Sequence, residues 1–386
     1  MTHAADAPTS RPSVLVISYS ILTSDARLLR QIRLLARDHD VTSVGYGPAP
    51  DGVVEHVQIP DELVAWHKDR LLLMQRRFAA VYRDNAVNAY LREVLPVGQF
   101  DVVVANDADT VPLALGLHPR GGVHADLHEY APRQHEASPR WRLFVAPYYR
   151  WLVRTFLPLC DSVTTVGAGL AREYEREYGV RAGVVVNAAP FRDASPTPVG
   201  EPVRLVHSGG ATRVRALEVM VRAVEASTSG ATLDLYLMPS DPTYLAEIAA
   251  LADASEKVTL HDAVPADELV ETLAGYDVGL FLVPPVTFNL EWTLPNKFFD
   301  FVQARLGIVV GPNPEMAGLV REHRLGAVTA GYEETDLVAL LDRLDPAEVA
   351  RWKAGSDAAA RELSAEQQIT AWGEAVGALA ARAGRA

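Results

Sequence analysis

Two short motifs in the second half of the sequence combine glycine with basic residues in a way that suits anion binding. The first spans residues 207–215 (HSGGATRVR), between an apolar run and a helical pattern. Gly209 and Gly210 allow a ligand to approach the backbone closely. A helix starting near Val214 would offer free N–H groups and a positive dipole end to a phosphate. Arg213 and Arg215 add full charges there, which favours phosphate binding over a simple tight turn.

The second motif spans residues 289–300 (NLEWTLPNKFFD). Pro295 is suited to open a helix, and Lys297 would then lie in its first turn, where a bound anion is favourable. Asp300 follows three residues later on the same helical face. A lysine for phosphate and an aspartate for a sugar hydroxyl would suit a nucleotide-sugar. Spacing alone favours the alternative, a surface lysine–aspartate pair.

A third motif, residues 123–130 (VHADLHEY), places polar side chains at the end of a predicted strand. If the strand reached His128, then His124, Asp126 and His128 would share one face. Such a set could suggest a metal site, but it lacks a clear fourth ligand. A polar strand end that lines a ligand-binding cleft is the favoured interpretation.

A fourth motif, residues 106–110 (NDADT), also follows a predicted strand. Its Asp-x-Asp pattern could hold a divalent cation. Because a helical pattern comes next, we favour Asp109 or Thr110 as the helix N-cap, with Asp107 reaching the ligand.

The elements that would carry these motifs alternate between short strands and longer helices. Strands are predicted at 13–18, 41–44, 101–105, 122–126, 162–166 and 184–186, and again at 203–207, 231–237, 277–283, 308–310 and 327–329. Helices are predicted at 25–38, 68–95, 214–226 and 295–304, and the C-terminal segment is helical by composition. Such alternation is typical of parallel sheets covered by helices.

The predicted fold class is α/β, with two Rossmann-like domains facing a cleft. The Pro- and Ala-rich segment 187–202 interrupts the alternation and indicates a linker. We therefore predict an N-terminal domain over residues 1–195, with 1–12 disordered, and a second domain over 196–365. The remaining residues, 366–386, would form a helix that packs on the first domain. In open parallel sheets ligands bind at the carboxyl ends of strands, where all four motifs lie.

Composition excludes several classes of protein. A net charge of −13 argues against nucleic-acid binding, which requires a basic surface. The single cysteine, Cys160, excludes a disulfide framework and fits the cytoplasm. No stretch approaches the roughly 20 apolar residues of a membrane span. Residues 141–158 (WRLFVAPYYRWLVRTFLP) mix aromatic and aliphatic residues with arginine. This pattern is typical of a helix in contact with a membrane surface, or of a core helix whose arginine side chains extend to solvent.

Taken together, four segments resemble the two-domain (GT-B) glycosyltransferases, and specifically the retaining glycosyltransferase family 4. They are residues 25–30 (DARLLR), 126–130 (DLHEY), 208–218 (SGGATRVRALE) and 294–300 (LPNKFFD). The last is similar to a "P-N-K-x-F-E" donor-binding helix and is the most specific of the four. The similarity extends over nearly the whole chain.

This resemblance implies roles for individual residues. His128 would lie near the donor sugar, and the catalytic set would be His128, Arg213 and Lys297. Family members bind a nucleoside diphosphate sugar as co-substrate and need no metal or other cofactor. The donor would be bound by Ser208, Gly209, Gly210, Arg213, Arg215, Glu291, Asn296, Lys297 and Asp300. The acceptor, a small molecule, a saccharide or a lipid-linked sugar, would meet Ser24, Asp25, Asp107, Glu129 and Tyr130.

The sequence departs from the family at three points. Asp300 stands where the family often has a second glutamate, and Arg213 and Arg215, only two residues apart, do not reproduce the family's Arg…Lys spacing. Eight residues before Asp300, where the family often has a glutamate that touches the donor sugar, stands Trp292, with Glu291 one position away. The leading hypothesis is retaining, metal-independent glycosyl transfer. The alternatives are a nucleotide-sugar epimerase or hydrolase of the same fold, or a catalytically silent sugar-nucleotide-binding protein. A dehydrogenase is disfavoured because no Gly-x-Gly-x-x-Gly follows the first strand.

Overall fold

A computed structural model describes residues 11–385 of the chain. The chain divides into two compact units. Unit 1 comprises the residues up to Val185 together with those from Ile369 onward, and unit 2 comprises Val186–Gln368. Most of the predicted disordered tail lies outside the described residues. Its last two residues are structured, since Arg11 donates to the Ala36 carbonyl and the Pro12 carbonyl accepts from the Asp40 amide.

Unit 1 is built on a seven-stranded parallel sheet with the order β3-β2-β1-β4-β5-β6-β7. Its strands are β1 (Ser13–Ile21), β2 (Asp40–Tyr46), β3 (Glu55–Gln58), β4 (Val102–Asn106), β5 (Gly122–Leu127), β6 (Ser162–Thr165) and β7 (Gly183–Val184). The strand order reverses between β1 and β4. At such a switch point the connecting segments diverge and leave a crevice beyond the strand ends.

Seven helices of unit 1 precede the linker: α1 (Ala26–Leu35), α2 (Arg70–Met74), α3 (Phe78–Arg83), α4 (Ala86–Val94), α5 (Val111–Gly116), α6 (Ala146–Phe156) and α7 (Ala168–Tyr178). A π-helical turn, Trp141–Val145, leads into α6. The single helical stretch predicted at 68–95 is wrong, because α2, α3 and α4 divide it. Arg76 has a φ of +55°, and Asp69 and Asn85 cap new helices, so the chain turns twice.

Unit 2 repeats the architecture with a six-stranded parallel sheet in the order β10-β9-β8-β11-β12-β13. Its strands are β8 (Arg204–Gly210), β9 (Thr232–Met238), β10 (Val258–Asp262), β11 (Val278–Phe281), β12 (Gly307–Val310) and β13 (Gly326–Val328). Here the switch point lies between β8 and β11. Apolar clusters cover both faces of this sheet, as expected for a buried parallel sheet.

The helices of unit 2 are α8 (Leu217–Ala226), α9 (Pro242–Asp253), α10 (Leu269–Leu273), α11 (Phe288–Glu291), α12 (Asn296–Gln303), α13 (Pro314–Glu322), α14 (Glu334–Leu341), α15 (Pro346–Ala359) and α16 (Ala365–Gln368). The last helix, α17 (Thr370–Ala383), returns to unit 1, where Val376, Leu379 and Ala380 join the core formed with β1, β4 and α1. The α/β class with two Rossmann-like sheets is therefore confirmed.

None of the helices between residues 11 and 385 has the length and apolar character that spanning a bilayer requires.

Candidate functional site

The end of β8 forms a basic cradle around a glycine in unit 2. Gly209 has a φ of +134°, a backbone conformation that side chains disfavour. A Cβ atom added there would lie 2.5 Å from Lys297 Nζ and 2.9 Å from Arg215 Nη1. The missing side chain therefore leaves the space in which both basic groups converge. We call Gly209, Arg215 and Lys297 the basic cradle.

Helix α12 brings Lys297 to this point. Pro295 takes the N-cap position and Lys297 is the second helical residue, as the sequence predicts. One turn later, the Phe301 ring packs against Gly279 of β11, where a Cβ atom would lie 2.4 Å from the ring. Gly279 thus lets α12 approach the sheet closely. Because residues four apart share a helical face, Lys297 points towards the end of the same sheet.

Lys297 is 7% exposed, and its partners in the cradle include no carboxylate. Its Nζ lies 3.2 Å from His207 Nε2 and 4.6 Å from the centre of the Phe281 ring. His207 Nδ1 lies 2.8 Å from the Leu280 carbonyl, which only a protonated Nδ1 can donate to. His207 Nε2 is then the acceptor for Lys297. The sequence predicts no role for His207, whose ring accepts a hydrogen bond from Lys297 and so helps to position its amino group.

Burial, with the nearby Arg215 charge, lowers the pKa of Lys297 well below its usual value, and Asp300 opposes this only in part. Burial and the same lysine also lower the pKa of His207. Basic groups that crowd together with too little negative charge nearby are stabilised when an anion arrives. The cradle therefore has the electrostatic character of an anion site.

The two arginines of the first motif lie in different surroundings. Arg215 is partly buried and donates to the Gly210 carbonyl, beside Lys297. Arg213 is exposed, forms a two-pronged ion pair with Glu247 of α9, and lies over the Tyr244 ring. The structure thus brings Arg215 into the cradle and leaves Arg213 on the surface, paired with a carboxylate.

The predicted helix start at Val214 is wrong. Arg213–Arg215 form a short 3-10 turn, Ala216 follows with a φ of +47°, and α8 begins at Leu217. The Leu217 amide already donates to the Tyr244 hydroxyl. The arginines consequently precede the helix, and one of the N–H groups expected to meet a phosphate has a partner within the protein.

The remaining predicted donor residues surround the cradle at different depths. Ser208 is buried within β8, Asn296 is exposed at the start of α12, and Asp300 is half-buried one turn later. Glu291 ends α11, and its charge contributes to raising the pKa of Tyr332, after burial. At the family's glutamate position, Trp292 packs against Phe288.

Unit 1 carries a second polar cluster, at the switch point between β1 and β4. Asp126 of β5 is fully buried and receives two hydrogen bonds from Arg27, of 2.8 and 2.7 Å. Thr164 donates to Asp126 at 2.7 Å, and Gln31 lies 3.3 Å away. Burial alone would raise the pKa of Asp126, but Arg27 and the neighbouring donors hold it well below its usual range.

His128 lies at the exposed end of this cluster. Its Nε2 is 3.5 Å from Asp126 and 3.3 Å from Asn106, and its Nδ1 is 3.4 Å from Asp107. Its amide also donates to Asp107 at 2.9 Å. Burial lowers the pKa of His128, but Asp107 and Asp126 outweigh that effect, so the net shift is upwards. The imidazole is therefore held between two carboxylates, which stabilise its protonated form relative to a free histidine.

The set His124, Asp126 and His128 does not converge on a metal. His124 lies within hydrogen-bond distance of Ser162 and Thr164, and Asp126 is occupied by Arg27. Within residues 11–385 no group of His, Cys, Asp and Glu side chains has a metal-binding arrangement. The predicted N-cap of α5 is confirmed in position, but its side chain makes no capping hydrogen bond. Thr110 is at the N-cap position, but its hydroxyl donates backwards to the Asn106 and Asp107 carbonyls.

A cavity of about 520 Å³ opens beside His128, within unit 1. Three predicted acceptor residues, Asp25, Asp107 and Glu129, line it. Glu129 is exposed at the cavity wall, where partial desolvation and the Asp107 charge raise the pKa of its carboxyl above the usual value. The sequence predicts no acceptor-binding role for other lining residues: Ser18, Tyr19, Trp66, Lys68, Trp141 and Tyr149.

Two predicted acceptor residues do not reach this cavity. Tyr130 is fully buried, packs against the tilted ring of Tyr174 and donates a hydrogen bond from its hydroxyl to Glu177. Ser24 is exposed and donates to the Ile21 carbonyl. Asp25 instead combines two roles, since its side chain caps α1 by accepting from the Arg27 and Leu28 amides.

No protein-family model matches the chain, and no curated protein sequence matches it. Solved structures do match its fold, among them sugar-phosphate synthases and a glycosyltransferase of the GT-B type. Sucrose-phosphate synthase from Thermosynechococcus elongatus shares 12% identity with a TM-score of 0.68, over 96% of this chain and 100% of that one. HepE from Anabaena, in complex with UDP-glucose, shares 13% identity with a TM-score of 0.66, over 95% and 99%.

A third neighbour is the α,α-trehalose 6-phosphate synthase of Burkholderia multivorans, with 14% identity and a TM-score of 0.67, over 97% of this chain and 100% of that one. At these identities the similarity establishes the GT-B fold. The expected fold family is therefore confirmed.

Proposed function

We propose that the protein transfers a glycosyl group from a nucleoside diphosphate sugar to an acceptor, with retention at the anomeric carbon. The observation that carries this proposal is the basic cradle, in which two basic side chains converge on a glycine at a strand end. In the reaction the bond from the anomeric carbon to the diphosphate breaks, and a bond to the acceptor oxygen forms. The acceptor proton leaves with the diphosphate.

The cradle suits the leaving group of this reaction. Negative charge develops on the diphosphate as its bond breaks, and preorganised positive groups stabilise that charge. Arg215 and Lys297 supply these positive groups, while Gly209 leaves room for the phosphate oxygens. Arg213 is assigned a smaller share, because Glu247 already neutralises it. We assign Asp300 and Asn296 to the nucleoside and Ser208, Gly210 and Glu291 to the surroundings of the donor.

We propose that the acceptor occupies the cavity beside His128 and that His128 meets the donor sugar. The protonated imidazole can donate a hydrogen bond to a sugar hydroxyl while Asp107 and Asp126 fix its orientation. Asp25 and Glu129 offer acceptors for hydroxyl groups of the incoming molecule. The HepE complex makes UDP-glucose the first donor to test. The single cysteine is consistent with a cytoplasmic enzyme.

The two arginines provide a matched experiment. Both would be changed to glutamine, and donor turnover measured with an acceptor panel. Removing a charged hydrogen-bond donor costs about 1.5–3 kcal/mol, so Arg215→Gln is expected to lower kcat/KM by roughly 10- to 150-fold. Arg213→Gln should lower it several-fold at most. Equal losses, or a larger loss for Arg213→Gln, would contradict the role assigned to the cradle.

The same assay separates glycosyl transfer from its alternatives. Incubating donor without acceptor would yield a new sugar product if the protein were an epimerase or hydrolase. Tight nucleoside diphosphate binding without turnover would support a silent binding protein, an alternative that Trp292 motivates. The proposal places the leaving-group charge on protein groups, so turnover should persist in EDTA. Loss of turnover in EDTA, restored by a divalent cation, would contradict metal independence.

A further inference from the structure

The mouth of the unit 1 cavity carries an unusual concentration of exposed apolar side chains. Trp66 is 74% exposed, and Leu71 and Met74 of α2 are 62% and 64% exposed. On the facing π-helical turn, Leu143 is 61% exposed. None of the five residues of that turn, WRLFV, is buried. Large apolar groups exposed together are uncommon on a protein surface and indicate an interaction site.

These side chains belong to one surface. Trp66, Arg70 and Leu73 line the cavity from one side, and Trp141 and Val145 line it from the other. Helix α2 and the π-helical turn are also in contact. Trp141 is held in place by the ring of Tyr149, 6.1 Å away and nearly parallel. We call the exposed parts of residues 66–77 and 137–145 the cavity rim.

The charge of the rim opposes that of the chain. The protein carries a net charge of −13, yet the rim segments 66–77 and 137–145 hold six Lys or Arg residues and one Asp. The single aspartate, Asp69, is used to cap α2. Arg70 and Arg140 are exposed, and no carboxylate of the described residues forms an ion pair with either. The exposed leucine and tryptophan side chains suit the apolar part of a lipid surface. The arginines without ion-pair partners suit its negative charge.

We propose that the cavity rim docks on an anionic membrane surface, with Trp66, Leu71 and Leu143 entering the headgroup region and the arginines contacting lipid phosphates. The cavity would then open towards the bilayer. Combined with the proposed glycosyl transfer, on which this step rests, the acceptor is a lipid-linked hydroxyl compound presented at the membrane. The docking itself requires neither donor nor turnover, so it can be tested separately.

The test uses the full chain with vesicles of phosphatidylcholine alone or with added phosphatidylglycerol. Sedimentation gives the bound fraction. The chain has six tryptophans, so the part of the emission change that is lost in Trp66→Phe reports the surroundings of Trp66. We expect binding to the anionic vesicles, a blue shift, and loss of binding at about 1 M salt, where the screening length falls to about 3 Å. Absence of binding to anionic vesicles, or equal binding to neutral ones, would overturn the proposal.

Paired variants assign the binding to the rim. Arg140→Gln with Arg142→Gln should lower the partition coefficient roughly tenfold or more, since each basic residue near the surface contributes about fivefold. Leu71→Ser with Leu143→Ser should also weaken binding. The controls are Arg37→Gln and Val97→Ser, exposed residues of unit 1 outside the rim. If the controls reduce binding as much as the rim variants, the assignment is wrong.

Vesicle binding and glycosyl transfer can fail independently. A rim variant that no longer binds vesicles should keep its activity on a soluble acceptor analogue and lose it on the same acceptor carrying a lipid chain. Loss of both activities with vesicle binding intact would count against the proposed function and leave docking supported. Normal activity on the lipid-linked acceptor without vesicle binding would overturn the link between docking and acceptor.

Discussion

Replacing Lys297 by methionine should separate nucleotide binding from stability. Methionine keeps the length of the side chain and its contact with the Phe281 ring, but removes the charged group from the cradle. Two effects on the folded protein then oppose each other. The variant no longer buries a basic group beside Arg215, whereas His207 Nε2 loses its donor at 3.2 Å.

The two effects have opposite signs. Methionine removes the desolvation penalty that burial places on a charged Lys297, which is the main cause of its lowered pKa. An unsatisfied buried acceptor costs about 1–3 kcal/mol. We therefore expect the free energy of unfolding of Lys297→Met, measured without ligand, to stay within about 2 kcal/mol of the parent protein.

Ligand binding should change far more. Loss of a charged hydrogen bond to phosphate, at about 1.5–3 kcal/mol, weakens affinity roughly 10- to 150-fold. With ligand at 100 times the parent Kd, binding stabilises the parent by about 2.7 kcal/mol, but a variant with 100-fold weaker affinity by only about 0.4 kcal/mol. Thermal unfolding with and without a nucleoside diphosphate measures this difference.

Lys257 provides the control. Its Nζ donates to the carbonyls of Val224, Glu225 and Ser227 at the end of α8, away from the cradle. Lys257→Met should lower the stability of the unliganded protein and leave the ligand-induced increase intact. If Lys297→Met keeps the full ligand-induced increase, the cradle does not bind the diphosphate and the reasoning fails.

Two other substitutions probe one unit each. Gly209→Ala should cost about 1–3 kcal/mol of backbone strain and displace both basic groups of the cradle. Gly230 is the control, because it also has a positive φ but has open space around it. Gly230→Ala should lower stability without affecting nucleotide affinity. Asp126→Asn leaves Arg27 buried without its partner and should cost about 3–5 kcal/mol in urea unfolding. Because Arg27 depresses the Asp126 pKa, this stabilisation is present above the unfolded value of 3.8 and is lost as pH falls below it. The difference between parent and variant should therefore shrink in acid, and a constant difference would refute the ion-pair explanation.

Local chemistry explains which parts of the site the sequence could predict. The position of Lys297 follows from Pro295, because proline fixes the backbone at a helix start. By contrast, Arg213 and Arg215 have the same residue type and neighbouring positions. What distinguishes them is Glu247, a residue 34 positions away on another helix. A pairing of that range is set by tertiary structure and leaves no local pattern.

The same limit applies to unit 1. A fully buried aspartate such as Asp126 requires a cation or several hydrogen-bond donors nearby. An aspartate within a predicted buried strand could have indicated that such a partner exists. That the cation is Arg27, 99 residues away, depends on the sheet order. Strands β3 and β10 were not predicted because their sequences, EHVQ and VTLHD, contain no continuous apolar run, although the edge strands β7 and β13 were predicted.

The C-terminal helix α17 should influence His128 through Arg27. Trp372 of α17 is buried, and the Arg27 guanidinium lies 4.6 Å from its ring centre while binding Asp126, which in turn faces His128. Trp372→Leu removes this support and a large core side chain. Val376→Ala, one turn later on the same helix, also creates a cavity in the core but leaves the Trp372 ring against Arg27 unchanged. It is the control for stability.

We expect Trp372→Leu to lower kcat by about tenfold or more relative to Val376→Ala at a temperature where both are folded, since about 1.4 kcal/mol of positioning corresponds to that factor. The pKa of His128, which Asp107 and Asp126 raise and the Arg27 charge lowers, should rise further in Trp372→Leu when followed by NMR, because a less firmly held Arg27 opposes the imidazolium less. Trp372→Phe should largely restore both values, because it keeps an aromatic ring and the indole N–H has no partner to lose. If Trp372→Leu and Val376→Ala differ only in stability, α17 contributes to the stability of unit 1 alone, and Trp372 does not influence His128 through Arg27.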